Sequence, residues 1–443
     1  MSKIDREGGL AMGKRLTGLL LALALWAGLL CACAGTPAAA RTPSGQDAEG
    51  NWIFDDVVTV GRVAPMTGPL SSFGAGTPYV EQLAVDAVNA QGGVVLDGKR
   101  CRLELVYVDS RSDVQRAAAA ARDLIRSGVD IMIVSNTADT VSPVTAACER
   151  AGIACISVDA PASAWIMGGP YQNSWHTFFD NEHEMLCFLE AWNSIESNRT
   201  IGLLTANDGE GVEIATFIRD FAAANGYAIV DPGSYPIGED SYADYVDAFA
   251  AAGCDIVVGV MNTVDFSVFW RECMAGDYRP KLCTMAKACL FSADVEDLGE
   301  LADGLITEVW WNRDFPFASS INGWTCAQLA DDYQANCDGS DSVVPPTIGY
   351  KHANIEILYD ILKRAGSLSL DAVNAAAAAT ELDTVVGHVS FNGEHVSIMS
   401  CVTGQWRRNE DGTYRQEIVG NYLMPGVEIT ADLILIPEKE GTE

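Results

Sequence analysis

The feature that most constrains the fold is a regular alternation of short apolar runs and longer amphipathic segments from residue 57 onward. Residues 57–64, VVTVGRVA, are rich in β-branched side chains and are typical of a buried parallel strand. Residues 77–91 place their apolar side chains on one helical face, and Gly92 with Gly93 predicts the end of that helix. We therefore expect parallel strands that are connected by helices.

The alternation occurs in two series, and roughly 390 residues after the N-terminal segment are too many for one hydrophobic core. The sequence predicts an α/β protein with two similar lobes, each a parallel sheet sandwiched by helices, joined by a multi-strand hinge. The predicted strands are residues 57–64, 102–108, 130–134 and 153–158 in the first series, and 201–205, 227–231, 255–260 and 281–284 in the second.

The N-terminus has the pattern of an export signal. Lys14 and Arg15 precede an uncharged apolar run at residues 16–30, which is too short for an ordinary membrane-spanning helix. The following Leu-Cys-Ala-Cys resembles a bacterial lipoprotein cleavage site, which implies that Cys33 is the lipidated first residue of the mature chain. An uncleaved membrane anchor is the alternative, and Met12 is a second possible start.

These observations divide the chain into a signal peptide at residues 1–32, a lipidated flexible tether at 33–56 and the two lobes. We expect lobe 1 to contain residues 57–176 and about 305–388, and lobe 2 to contain residues 177–304 and about 389–440. The expected location is the outer face of the cell membrane or the periplasm.

Charge and cysteine content exclude some functions. With 28 basic and 60 acidic residues, the net charge of −32 is unsuited to nucleic acid, which requires clustered cations. Eleven cysteines follow Cys33, and none of them forms a CxxC pair, which argues against a zinc ribbon. Cys148 with Cys155 and Cys326 with Cys337 are the nearest-spaced candidate disulfides, but spacing does not determine the pairing.

Several ordered segments carry a family resemblance, namely VGRVAPMTGPLSSFGAG near the first strand, and later DPGSYPIGEDSY, GVMNTVDFSVFW and TEVWWNRDFPFASSINGW. Together they resemble the type I periplasmic binding proteins, in the branch with the leucine/isoleucine/valine, amide/urea and aromatic-compound receptors of ABC importers. The resemblance covers nearly the whole mature chain. It implies a small-molecule solute held between the lobes, an importer permease as partner, and a monomeric protein.

Ligands of open parallel sheets bind beyond the carboxyl ends of the strands, so the loops there are candidate sites. In lobe 1 these loops contain Ser135, Asn136 and Thr137 after one strand, and Asp159 and Ala160 after the next. A helix start after the first loop suits a carboxylate. Asp159 either pairs with a ligand amine or is a solvated acid. Pro161 stands where amino-acid receptors of the family usually carry threonine, which argues against a simple branched-chain amino acid.

Aromatic residues near the first crossing between the lobes are candidates for an apolar wall. Trp165 and Phe178, with His176 and Phe179 beside them, either contact a flat or hydrophobic ligand or pack in the core. In lobe 2, strand-end positions are occupied by Asp208, Asn262 and Lys287, and Lys287 could pair with a carboxylate. Trp311 follows a strand that is expected to return across the hinge.

No motif for catalysis or a cofactor emerges. There is neither a GxSxG elbow nor an HExxH motif, and the five histidines are scattered, so we expect no metal site and no enzyme. The FGAG segment lacks the third glycine of a dinucleotide loop because Tyr79 occupies that position, so we expect no cofactor. The predicted function is capture of an amino acid, an amide or an aromatic or hydrophobic carboxylic compound for an importer. A sensory receptor of the same fold and, less strongly, a hydrolase are the alternatives.

Overall fold

The structure is a computed structural model that describes residues 45–337 and 343–437. The predicted signal peptide and Cys33 lie outside the described residues. Across the described ranges, no helix has the length and apolar character needed to cross a bilayer.

The C-terminal end of the predicted flexible tether packs against the first lobe. The indole Nε1 of Trp52 donates to the Ala90 carbonyl at 3.1 Å, and the Arg100 guanidinium lies 4.3 Å from the Trp52 ring, because cations are attracted to indole faces.

The first pass of the chain builds most of one sheet and its covering helices. Its elements are β1 Asp56–Ala64, α1 Ser71–Gly74, α2 Thr77–Ala90, β2 Val94–Leu96, β3 Lys99–Asp109, α3 Val114–Ser127, β4 Ile131–Val134, α4 Ala138–Ala151, β5 Cys155–Val158, α5 Ala162–Met167 and β6 Ser174–Phe178.

The second pass builds most of another sheet. Its elements are α6 Asn181–Asn193, β7 Thr200–Thr205, α7 Gly209–Ala224, β8 Ala228–Val230, α8 Ala243–Ala252, β9 Ile256–Val260, α9 Thr263–Ala275, β10 Leu282–Ala286, α10 Ser292–Asp297 and β11 Ile306–Val309.

The remainder returns to the first lobe and then to the second. It contains α11 Cys326–Asn336, α12 Thr347–Ala365, α13 Leu370–Ala378, β12 Glu381–Thr384, β13 Gly387–Ser390 and β14 Val396–Ile398, followed by β15 Val402–Arg408 and β16 Tyr414–Gly420.

Each lobe has a seven-stranded, mainly parallel sheet. The strand order is β14-β6-β5-β4-β1-β3-β2 in the first lobe and β16-β15-β11-β10-β9-β7-β8 in the second, with β2, β15 and β16 antiparallel to their neighbours. Alternate side chains of β4 enter different cores: Ile131 and Ile133 pack with α2 and α12, whereas Met132 and Val134 pack with α3 and α4. The sheet is thus buried on both faces, and the predicted α/β class with two sandwiched sheets is confirmed.

Three connections join the sheets, and they change the expected lobe boundaries. The chain crosses after β6, after β11, and between β14 and β15. Strand β11 therefore belongs to the second sheet, although residues from about 305 were expected in lobe 1. Strand β14 belongs to the first sheet, although residues from about 389 were expected in lobe 2. The reason is that β11 pairs with β10, and β14 pairs with β6, before the chain crosses to the other sheet.

Candidate ligand-binding site

Two adjacent cavities lie between the lobes, at the carboxyl ends of the strands. The inner cavity, nearer the crossings, has an empty volume of about 600 Å³. Its first-lobe wall comes from loops after β4, β5 and β6, and its second-lobe wall from α6, α7 and the ends of β9, β10 and β11. The lining side chains are Phe73, Thr137, Ala138, Asp159, Pro161, Ala164, Phe178, Phe179, Asn181, Glu184, Glu213, Ile214, Val260, Ala286, Lys287, Leu290, Glu308 and Trp310.

The outer cavity, with an empty volume of about 1490 Å³, shares Phe73, Val260 and Lys287 with the inner one. Phe73 of the first lobe meets Phe291 of the second in an edge-to-face pair, with ring centroids 4.9 Å apart and an interplanar angle of 86°. The lobes therefore contact each other directly beside the cavities, as in a closed cleft.

The strand-end loops hold an unusual backbone conformation. Asn136, Thr137, Asp159 and Lys287 have φ values of 77°, 65°, 64° and 69°, a left-handed region that non-glycine residues seldom adopt. These residues follow β4, β5 and β10. Thr137 donates its backbone N–H to the Asp159 carbonyl at 3.0 Å, which locks two of the loops together. Such strain persists where the surrounding structure fixes it, typically at ligand sites.

A buried network of charges supports the first-lobe loops from behind. Arg62 pairs with Glu81 at 2.7 Å, and its Nη2 donates to Ser135 Oγ at 2.6 Å. Asn136 donates Nδ2 to the Phe73 carbonyl at 2.7 Å and to Asp159 Oδ2 at 3.0 Å. Ser135 and Asn136 were predicted to contact the ligand, but neither lines the cavity, because their polar atoms are used in this network.

Two carboxyl groups in the inner cavity have pKa values close to neutral pH. Burial raises the pKa of Asp159 to about 7, although nearby Lys351 opposes the shift. Burial likewise raises the pKa of Glu308 to about 7. The donors to these carboxylates are neutral: Asn136 Nδ2 for Asp159, and the Thr307 hydroxyl at 2.9 Å for Glu308. Both groups can therefore become fully ionised when a positive charge enters the cavity.

Two further polar atoms in the cavity walls have no hydrogen-bond partner among the described residues. They are Thr137 Oγ1 and the indole Nε1 of Trp310, whose residues are 6% and 2% exposed. Leaving buried polar groups unpaired costs about 1–3 kcal/mol each. A ligand with polar atoms at these points would remove that cost.

An aromatic cluster forms the apolar part of the wall. The Phe178 ring centroid lies 4.2 Å from that of Phe179 and 5.4 Å from that of Trp310. Phe178 was predicted to line the site, and it does so together with its neighbour Phe179. The cluster provides an apolar surface on the same cavity as the carboxyl groups.

Three other predicted residues do not line either cavity. Trp165 packs in the first-lobe core, with its ring centroid 4.2 Å from that of Tyr171 and 5.2 Å from that of His176. Ala160 is 1% exposed, and its carbonyl is bonded to His176 Nε2 at 2.8 Å. Trp311 donates its Nε1 to the Val385 carbonyl at 3.1 Å and packs in the core. Core packing, rather than ligand contact, accounts for these residues.

The second-lobe predictions fall mainly in the outer cavity. Asp208 and Asn262 line it, and each also begins a helix by accepting a backbone N–H: Gly211 for Asp208 at 2.7 Å and Asp265 for Asn262 at 2.9 Å. Lys287 lines both cavities. Thr137, Asp159, Phe178 and Lys287 are thus the predicted residues that the structure brings together at the inner cavity.

Sequence reasoning missed the acidic residues of the second-lobe side. Glu184 on α6, Glu213 on α7 and Glu308 on β11 line the inner cavity with Asp159, so four acidic side chains and one lysine face it. A signal was available for one of them. In the TEVWW segment the period of two places Glu308 and Trp310 on the face opposite to Trp311.

Comparison with known proteins decides the family. The model of the periplasmic binding protein family matches residues 57–411. The chain belongs to the periplasmic binding protein family. The resemblance that the sequence predicted is thus confirmed. A curated relative, the Leu/Ile/Val-binding protein BraC3 of Rhizobium johnstonii, is 28% identical over 105 residues, which are 24% of this chain and 28% of that protein. The matched segment therefore spans little more than a quarter of this relative.

Several solved structures share the fold over nearly their whole length. A leucine-binding protein from Thermotoga maritima has a TM-score of 0.69 at 16% identity, covering 83% of this chain and 99% of that one. An isoleucine-bound branched-chain amino acid transporter substrate-binding protein from Streptococcus pneumoniae has a TM-score of 0.66 at 19% identity, with 82% and 99% covered. A solute-binding protein from Rhodopseudomonas palustris, in complex with 3,4-dihydroxybenzoic acid, has a TM-score of 0.65 at 17% identity, with 86% and 99% covered.

Proposed function

We propose that this protein is the substrate-binding component of an ABC importer and captures a small solute in the inner cavity between its lobes. Binding rather than catalysis is the role, because the named relatives are binding proteins. The observation that carries the proposal is the arrangement of the cavity. Polar groups from both lobes converge with an aromatic wall around one concave cavity, which is the usual character of a small-molecule site.

The charges of the cavity favour a solute with a protonated amine and an apolar body. Asp159, Glu213 and Glu308 line the cavity with acidic side chains, and Phe178, Phe179 and Trp310 provide the apolar surface. The pKa values of Asp159 and Glu308 are about 7, so a cation beside them favours their ionised forms. A cation is favoured on both grounds, because aromatic faces also attract positive charge. Of the three solute classes predicted from the sequence, an amino acid with a large apolar side chain fits best. A carboxylic compound without an amine would oppose the ionisation of these acidic side chains, which costs free energy above pH 7.

Closure of the lobes is the event that the importer recognises. In the open form the loops after β4 and β5 are accessible to the solute, which binds there first. The second lobe then closes and adds Glu308 and Lys287 to the site. A solute stabilises the closed form only by the interactions it makes there and not in the open form. The permease then binds the closed lobes.

The protein works outside the cytoplasm in this proposal. The apolar run at residues 16–30 directs export, and lipidation of Cys33 holds the mature chain at the outer face of the membrane. The wild-type protein should incorporate a labelled fatty acid, and Cys33→Ser should abolish that incorporation while leaving the binding of solute intact. A wild-type protein that incorporates no fatty acid, or a Cys33→Ser protein that still does, would contradict the anchor without affecting the proposed binding function.

The proposed function is tested by identifying the small molecule that co-purifies with the protein. The mature chain is purified without denaturation and then unfolded, and the released small molecules are identified by mass spectrometry. We expect one amine-bearing solute at near-stoichiometric amount, and we expect that adding it back to refolded protein raises the Tm. No released solute, together with no Tm shift in a panel of amino acids, amides and aromatic acids, would contradict solute capture.

A further inference from the structure

Two cysteines that are far apart in sequence meet beside the hinge. The Sγ atoms of Cys187 and Cys401 lie 3.1 Å apart, although 214 positions separate the residues. Both are buried, at 2% and 0% exposure. The Cys187 thiol also lies 3.1 Å from the Cys401 carbonyl. A disulfide needs an S–S distance of about 2.05 Å, so a relative shift of about 1 Å would bring these atoms to bonding distance.

The pair connects two parts of the hinge region. Cys187 lies on helix α6, which packs on the second sheet, and Cys401 lies in the crossing between β14 and β15. The Thr403 hydroxyl donates to the Cys187 carbonyl at 2.8 Å and fixes the same junction by a hydrogen bond. Glu184, one helical turn before Cys187, lines the inner cavity. A bond at this point would hold the crossing segment against the helix that carries part of the site.

We propose that Cys187 and Cys401 form a disulfide in the exported protein, tying helix α6 to the third crossing of the hinge. The inference rests on one part of the proposed function, which is export of the protein, because disulfides persist in oxidising compartments. The oxidant is a disulfide-bearing oxidoreductase or a small disulfide such as oxidised glutathione. The two thiols lose two protons and two electrons as the new S–S bond forms, and the oxidant's own disulfide is reduced to two thiols.

The bond forms while the chain folds. Burial raises the pKa of the Cys401 thiol well above its ordinary value, so little reactive thiolate remains once the pair is enclosed. Sequence spacing could not point to this pair. The candidate pair Cys326–Cys337 fits less well, because Cys326 is buried, with its Sγ 3.3 Å from the Val385 carbonyl, whereas Cys337 is exposed.

Peptide mapping tests the bond directly. Protein exported to an oxidising compartment, and protein refolded with a glutathione redox mixture, are alkylated under denaturing, non-reducing conditions. Digestion with trypsin and a glutamate-specific protease isolates the two cysteines on residues 185–190 and 395–407. We expect a linked species whose mass is two hydrogens below the sum of the two peptides and which a reductant abolishes. Alkylated thiols on both peptides in both preparations would overturn the proposal.

Thermal unfolding of the oxidised and reduced protein gives a second test of the disulfide, and this test does not depend on the digestion. Closing so long a loop should raise the Tm of the oxidised protein by about 5 °C over the reduced protein. Cys401→Ser should remove most of that difference, whereas Cys337→Ser, at an exposed cysteine, should retain it. An unchanged difference in Cys401→Ser would contradict the bond. The refolded preparation tests the cysteine pair even if the native protein is not exported. A failure of the proposed function can therefore be distinguished from a failure of the disulfide proposal.

Discussion

Phe73 and Phe291 form an edge-to-face pair across the two lobes, with ring centroids 4.9 Å apart. Phe73 also lines both the inner and the outer cavity, so the contact that joins the lobes is part of the cleft itself. A contact between the lobes at the cleft stabilises the closed form and is lost when they separate. It links the packing of the protein to the affinity for its solute.

We predict that Phe291→Ala weakens solute binding by about 2- to 12-fold, because an aromatic pair contributes about 0.5–1.5 kcal/mol beyond its buried area. The affinity is measured by calorimetry, and the fraction of closed protein by small-angle X-ray scattering at saturating solute. Phe221→Ala is the matched control, since Phe221 stacks on Phe217 within one helix of the second lobe. Equal effects of the two changes would show that the interlobe pair has no special role.

The pKa of Glu308 predicts how stability depends on pH. Burial raises that pKa from 4.5 to about 7, so between these values the native carboxyl keeps a proton that the unfolded chain has lost. The group therefore destabilises the solute-free protein as pH rises through this window, by at most about 1.4 kcal/mol per pH unit. Glu308→Gln should flatten the decline in the free energy of unfolding between pH 5 and pH 7.

Chemical denaturation at several pH values measures that slope. Glu104→Gln is the control, because Glu104 lies in an exposed ion pair with Arg102. A wild-type slope that Glu308→Gln leaves unchanged would mean that Glu308 is already ionised in the native protein at pH 5.

Solute binding should have the opposite dependence on pH. An amine in the cavity favours the ionised forms of Asp159 and Glu308, whose pKa values are both about 7 in the solute-free protein. Affinity should therefore increase from pH 5.5 to pH 8, and binding near pH 6.5 should release protons. Calorimetry in two buffers of different ionisation enthalpy counts the protons. Proton uptake, or no exchange, would argue against an amine beside these carboxyl groups.

The buried network behind the first-lobe loops should be essential for folding. Arg62→Met leaves Glu81 without its partner in a site where both side chains are 0% exposed, and we expect a loss of about 3–5 kcal/mol in the free energy of unfolding. The exposed pair gives the control Arg102→Met, which should change stability by less than about 1 kcal/mol. A small effect of Arg62→Met, measured by urea denaturation, would mean that the loops do not depend on this network.

The sequence predicted the fold and the loops of the site better than the direction of individual side chains. Thr137 and Asp159 were found because they follow buried strands, and strand ends meet in parallel sheets. Trp165 was misplaced because an indole that fills a core and one that lines a cavity have the same local sequence pattern. Only the period of two, continued past the end of β11, distinguishes Trp310 from Trp311.

The acidic character of the site could not be predicted, because it is assembled across the hinge. Glu213 comes from α7 and Glu308 from β11, and each has an ordinary local context in the sequence. They share a cavity with Asp159 only because two lobes meet there. The meeting of Cys187 and Cys401 has the same origin, since the hinge joins segments that are 214 positions apart.

The central claim is that the inner cavity binds a small apolar solute through its amine. The most direct measurement is calorimetric titration of the mature protein with matched compounds on the leucine and phenylalanine skeletons, namely the amino acid, its amide and the acid that lacks the amine. We predict that an amine-bearing member binds on at least one skeleton and that the corresponding acid binds at least about 30-fold more weakly. Glu308→Gln should reduce that ratio. Tighter binding of the acid without an amine, or no binding of any compound, would contradict the account.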